Sequence, residues 1–203
     1  GIDPSTLKVY KQDEQTGKLI ELGGEYISEQ QAVIVSINHL CNFVIAASAS
    51  IERIYGDDRY KTAVAISKKG WPEKSDSVIL AYGEDYPDAL TGVTLSQLKN
   101  APVLLTEKDA LNPDTLKEIQ RLNAKNIYIL GGEGVISKSI EDILSKNYKV
   151  IRVSGLDRYK TAVAVGQLVI KEKSIDTAII VKGTDFPDTL SAAPFAAKGL
   201  IPI

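Results

Sequence analysis

The sequence predicts a parallel, doubly wound (Rossmann-like) α/β repeat module preceded by a small all-β segment. Three observations lead there. The stretch Asp-Arg-Tyr-Lys-Thr-Ala-Val-Ala at 58–65 returns at 157–164, 99 residues later, and Gly83 to Leu90 returns as Gly183 to Leu190, 100 residues later. Two matches in the same order at nearly one offset define a unit of about a hundred residues. From residue 51 onward, short runs that are apolar throughout alternate with helical patterns of about ten residues, as a sheet covered on both faces requires. Before residue 51 the pattern alternates apolar and polar instead.

Taken in order, residues 1–50 read as a β-rich segment, the end of a β-sandwich-like domain. Leu7 and Val9 alternate with Lys8 and Tyr10, Leu19 to Leu22 follow the Thr16-Gly17 turn, Val33, Val35 and Ile37 alternate, and Phe43 to Ala47 form an apolar run. Residues 51–151 read as one complete α/β repeat and 152–203 as a truncated second. Strands are expected at Val78–Tyr82, Val103–Thr106, Ile127–Leu130, Val150–Val153 and Ala178–Val181. Helices are expected at Asp58–Lys69, Pro87–Lys99, Pro113–Leu122, Ser137–Ser145, Asp157–Ile170 and Pro187–Ala197. Asp58, Asp157 and Asp85 are placed to cap helices, and Asn112 stands before Pro113 at a helix start.

Composition narrows the function. Hydrophobic residues at 44% and charged residues at 25% describe an ordinary globular chain, and a net charge of -2 gives no general attraction to nucleic acid or a membrane surface. No apolar run reaches membrane-span length. One cysteine excludes an internal disulfide, no spaced Cys/His set offers a metal site, and no cofactor is implied. The absence of methionine and an end inside the second repeat predict a piece of a longer protein.

The repeated arginines, Arg59 and Arg158, stand in the first turn of a helix, where the macrodipole disfavours a cation. Two readings fit: an ion pair with an acidic residue elsewhere in the unit, or a ligand anion, with Tyr60 and Tyr159 beside the arginines as candidate ligand-stacking surfaces. Gly131, Gly132 and Gly134 lie in a turn between a strand and a helix. Such turns can cradle phosphate, although the third glycine of a dinucleotide fingerprint is Ser137 here. Asp85/Asp88 and Asp185/Asp188 read most simply as helix caps. His39, the only histidine, lies outside the repeats, so no Ser-His-Asp set can form within them. His39-Leu40-Cys41 resembles the self-cleavage motif of autoproteolytic β-domains, in which Cys41 would attack the carbonyl of Leu40 with His39 as base. The alternative is a strand with an ordinary buried cysteine.

Together, Arg-x-x-Gly-x-Asp-Arg-Tyr-x-Thr-Ala, Tyr/Phe-Pro-Asp-x-Leu, Ala-Pro-Val-Leu-Leu-Thr and Tyr-Ile-Leu-Gly-Gly-Glu-Gly-Val-Ile-Ser resemble the type 2 cell-wall-binding repeat of clostridial surface proteins. The resemblance implies a non-catalytic module, of a kind usually present in threes around a pseudo-threefold axis. Such modules hold a secreted protein non-covalently on an anionic polysaccharide of the Gram-positive wall. It implies as partners an anionic cell-wall polymer and either further repeats of the parent protein or a second copy of the chain, with no nucleic acid. The rival functions are a nucleotide- or sugar-phosphate-binding α/β enzyme fragment, a self-processing β-domain centred on Cys41, and a rigid spacer.

Overall fold

A computed structural model describes residues 6–13, 15–16, 18–30, 32–36, 43–47 (as backbone) and 53–203. The chain divides into two compact units between Arg53 and Ile54. In the first, β1 (Leu7–Gln12) lies between β2 (Leu19–Gly23) and β5 (Phe43–Ala47) in an antiparallel sheet, while β3 (Glu25–Ile27) and β4 (Ala32–Ile34) form a separate hairpin. Of the strand expected through Val33, Val35 and Ile37, β4 includes Val33 and ends before Val35, with its partner at Glu25–Ile27, and Ile37 lies outside the described residues. Gly24, at φ +121°, packs so closely against Val33 that a side chain there would overlap it. His39, Leu40 and Cys41 lie outside the described residues.

The second unit holds α1 (Arg59–Gly70), β6 (Ser77–Tyr82), α2 (Pro87–Thr91), α3 (Val93–Lys99), β7 (Val103–Thr106), α4 (Pro113–Arg121), β8 (Asn126–Leu130), α5 (Lys138–Ser145), β9 (Lys149–Val153), α6 (Arg158–Glu172) and α7 (Pro187–Gly199). Its sheet is parallel throughout, in the order β7-β6-β8-β9. The apolar strands have a simple cause. Val78, Leu80, Leu104, Ile127 and Ile129 point to one face, under α1, α4 and α5. Ile79, Leu130 and Val153 point to the other, under α3 and α6.

That second face does not belong to one repeat. Val165 of α6, a second-repeat residue, is buried with Leu95 of α3 against Ile79 and Leu130. Lys99 of α3 pairs with Glu172 of α6 while lying over the Tyr128 ring. The equivalent aromatic residues Tyr86 and Phe186 meet edge to face with centroids 5.6 Å apart. The two repeats are interlocked, each leaving part of its surface to the other.

Three expectations need correction. The helix expected over Pro87–Lys99 is broken into α2 and α3 at Gly92, where a side chain would collide with Leu130. Asp85 does not cap it: its carboxylate accepts the N–H of the adjacent Tyr86 at 2.9 Å, and the N-cap residue, Tyr86, makes no side-chain cap bond. The strand expected at Ala178–Val181 is not formed. Ile179 N–H does donate to the Pro202 carbonyl at 2.8 Å, as Ile79 N–H does to Pro102 at 3.0 Å. The first-repeat strand, however, is held by β7 and β8 on either side, whereas no strand flanks residues 178–181 among the described residues.

Candidate functional site

The repeated signature builds the same local structure twice. Asp58 and Asp157 are N-caps whose carboxylates accept from Lys61 N–H and Lys160 N–H, both at 2.7 Å. The N–H of Gly56 donates to Thr62 Oγ1 at 3.0 Å, and that of Gly155 to Thr161 Oγ1 at 3.1 Å. Each of these glycines presses on the backbone of the following helix, so no side chain fits there. Arg59 Nη1 donates to the carbonyl of Gly83 at 2.6 Å and Arg158 Nη1 to that of Gly183 at 3.1 Å. The arginines that oppose the helix dipole are thus used to tie the first turn of a helix to the loop after the next strand position.

The copies then diverge at one position. In the first repeat Glu84 pairs with Arg59 at 3.5 Å and accepts the Tyr60 hydroxyl at 2.8 Å. The Tyr60 ring is only 8% exposed, and burial together with that bond to Glu84 pushes its hydroxyl pKa upward. In the second repeat the equivalent residue is Thr184, which has no charge. Arg158 turns instead to the first repeat, its Nη2 lying 3.6 Å from Asp85 Oδ2. Tyr159, without a carboxylate partner of that kind, is 54% exposed.

That turn of Arg158 completes a cavity of about 220 Å³ at the carboxyl ends of β6, β8 and β9. Neighbouring strands β6 and β8 are left in opposite directions by the chain, the switch point at which open α/β sheets hold their ligands. Asp85 and Asp88 enter the cavity from the β6 side, Gly132 and Gly134 from the turn after β8, and Asp157 and Arg158 from the start of α6. Gly131 sits behind this wall at φ +91°, packed against Asp88 and Val135, and its carbonyl accepts Arg152 Nη1 at 2.8 Å. Of the residues singled out in the sequence, the fold brings Arg158, Gly132 and Gly134 together. Arg59 and Tyr60 line none of it, and Tyr159 borders a separate apolar groove with Val163, Ile170 and Ile180.

The cavity is not an anion hole. Three carboxylates face one guanidinium, and that guanidinium already has Asp85. Burial, and next the charge of Asp85, raise the Asp88 pKa against the opposing pull of Arg158. In the glycine turn the N–H groups of Val135 and Ile136 are already used, both donating to the Gly132 carbonyl at 3.1 and 3.2 Å, and α5 begins only at Lys138. What the walls offer is carboxylate acceptors beside a fixed cation, a set suited to sugar hydroxyls. Sequence reasoning missed Asp85, Asp88 and Asp157 as site residues. Their recurrence beside Gly83 and Gly155 was visible, but the approach of the two repeats was not.

Across residues 53–141 and 152–203 the chain matches Cell wall binding domain 2 (CWB2). The chain belongs to this family. It is 35% identical over 179 residues to the amidase enhancer of Bacillus subtilis, covering 88% of this chain and 25% of that protein. It is also 35% identical over 158 residues to the N-acetylmuramoyl-L-alanine amidase LytC of the same organism, covering 77% and 31%. Among solved structures, Cwp6 of Clostridium difficile superposes with TM-score 0.73 at 26% identity over 99% of this chain and 35% of that one. Cwp8 superposes at 0.67 with 38% identity, over 74% and 26%. The chain thus spans between a quarter and about a third of these relatives. The CWB2 fold is the one described above, and the family places the chain among cell-wall- and surface-associated proteins of Gram-positive bacteria. Among the described residues no helix is long and apolar enough to cross a membrane.

Proposed function

We propose that these CWB2 repeats anchor their parent protein non-covalently to an anionic polysaccharide of the wall, without catalysis of their own. The observation that carries this reading is the interlocking of two repeats of a wall-binding family around one polar cavity, with Arg158 and Asp157 of one repeat facing Asp85, Asp88, Gly132 and Gly134 of the other. In this reading a sugar ring lies in the cavity, its hydroxyls donating to the carboxylates, while the exposed Tyr159 ring in the separate apolar groove offers a stacking surface to another sugar of the polymer. Arg59, Tyr60 and Gly131 act by holding the loops that shape the walls.

Further repeats of the parent protein, or a second copy of this chain, complete the assembly. Leu80 is 0% exposed in the first repeat, while its counterpart Ile180 is 96% exposed. Phe195 on α7 is likewise open where its counterpart Leu95 is buried under α6. Burying such apolar surface is the main driving force for association.

Co-sedimentation with purified Gram-positive walls tests the proposal. Retention is expected on intact walls, with loss on walls stripped of their acidic polymer. Retention equal on both, or on neither, would sink it.

A further inference from the structure

If the inter-repeat cavity carries a negative excess, the charges of an acidic polymer must be met elsewhere. We infer that they are met in the groove between α1 and α4. This rests on the wall-polymer reading, but it assigns a second site with a different ligand chemistry: the repeating anionic groups of a polysaccharide rather than its hydroxyls.

The groove has a volume of about 500 Å³ and is lined by Lys61, Lys68, Lys117 and Arg121 against Asp114 and Glu118. Its charges are not equivalent. Glu118 is 2% exposed in its floor, where it accepts from Ser67 Oγ at 2.6 Å and from both Arg121 Nε and Nη2 at 2.8 and 2.7 Å. Arg121 also donates to the carbonyls of Trp71 and Pro72, both at 2.8 Å. This buried pair is structural: it ties α4 to the end of α1, and its charges cancel.

What remains at the rim is Lys61, Lys68 and Lys117, with Asp114 between the helices and Asp57 and Asp58 close to Lys61. Lys61 bonds Asp57, an exposed i,i+4 pair. Lys117 stands 3.9 Å from Asp114, at the edge of ion-pair distance. Lys68 has no ion-pair partner among the described residues. Exposed pairs of this kind contribute little, so a polyanion displaces them at small cost. Lys61 and Lys68 are seven residues apart, two helical turns or about 10 Å along α1, with Lys117 on the facing helix. The result is a row of cations rather than a single point, suited to a chain of repeating charges. In a protein of net charge -2 this local excess is a property of the groove and not of the whole field. It is also specific to the first repeat, since the counterpart of Lys68 is Gln167.

The test uses heparin as a defined anionic polysaccharide and neutral dextran as its control. Lys68→Glu combined with Lys117→Glu reverses two exposed charges of the groove. Lys146→Glu combined with Lys173→Glu makes the same change in net charge on exposed residues elsewhere. Wild type is expected to bind heparin in a salt-sensitive manner and to leave dextran unbound. The groove variant should bind at least about tenfold more weakly at low salt, and the control variant should stay within about twofold of wild type, with unaltered melting curves for both. Absence of heparin binding by wild type, an unchanged affinity in the groove variant, or an equal loss in the control would each overturn the assignment. Retention on intact walls by both wild type and groove variant, without difference, would refute the groove while leaving the anchoring function standing.

Discussion

Substituting alanine at Gly83 and at Gly183 makes the same chemical change in equivalent turns, yet the two should differ in effect. A Cβ at Gly83 would lie 2.5 Å from Tyr60 Cε1 and 3.0 Å from both Cζ and the hydroxyl oxygen. That ring cannot yield. It is buried, its hydroxyl is bonded to Glu84, and Arg59 holds the Gly83 carbonyl from the same helix turn. Overpacking against a fixed ring costs about 1–3 kcal/mol. At Gly183 the Cβ would overlap Tyr159 as closely, but that ring is more than half exposed and its counterpart of Glu84 is a threonine. It can swing outward, and the cost should fall to about 0.5 kcal/mol, near that of an ordinary surface substitution. Equilibrium urea unfolding of the two variants measures the difference, read as a shift in midpoint at constant slope. Equal destabilisation would refute the claim that Glu84 and burial lock the first tyrosine; so would recovery of Gly83→Ala stability failing to follow when Tyr60→Phe removes the bond to Glu84.

Three further outcomes follow from the geometry. Asp88 has its pKa raised by burial and by Asp85, so its ionisation opposes folding: the folded state loses stability as pH rises from the unfolded carboxyl value of about 3.9 through the higher folded one. Asp88→Asn should therefore gain on wild type across that window and hold a constant advantage above it, and thermal melts whose difference is flat with pH would contradict this. Glu141 is shifted the other way, held down first by the bond from Lys138 and then by Arg152, so its contribution is present above about pH 4.3 and lost as pH falls through its lowered value. Glu141→Gln leaves the Arg152 guanidinium, whose Nη2 has no hydrogen-bond partner among the described residues, short of its carboxylate, and should cost about 1–3 kcal/mol at neutral pH but little in acid. Ile180→Glu should reduce concentration-dependent self-association in sedimentation velocity, since Ile180 is 96% exposed where its counterpart Leu80 is buried; a wild-type chain that stays monomeric at high concentration would exclude the second-copy arrangement.

How much could be read in advance depended on the range of the interaction. The hundred-residue period, the parallel strands, the Asp58 and Asp157 caps and the family resemblance all rest on residues close in sequence, where spacing alone dictates geometry. The first-turn position of Arg59 and Arg158 pointed to an ion pair within the unit or a ligand anion; Arg59 pairs with Glu84 of its own repeat, but Arg158 with Asp85 of the other. The partner of each was not legible, because it depends on residue 84 or 184 and on which repeat lies opposite. Burial of Tyr60 and exposure of Tyr159 arise from identical local sequence and differ only in what packs against them. The need for glycine at 92, between α2 and α3, comes from the Leu130 side chain, nearly forty residues away, and residues 178–181 have no flanking strand among the described residues. The closing of the first repeat's sheet by α6 was likewise a tertiary decision. Local sequence determines which face of a helix is apolar; only the assembled chain determines which sheet that face covers, and hence which carboxylates, glycines and arginine share the cavity.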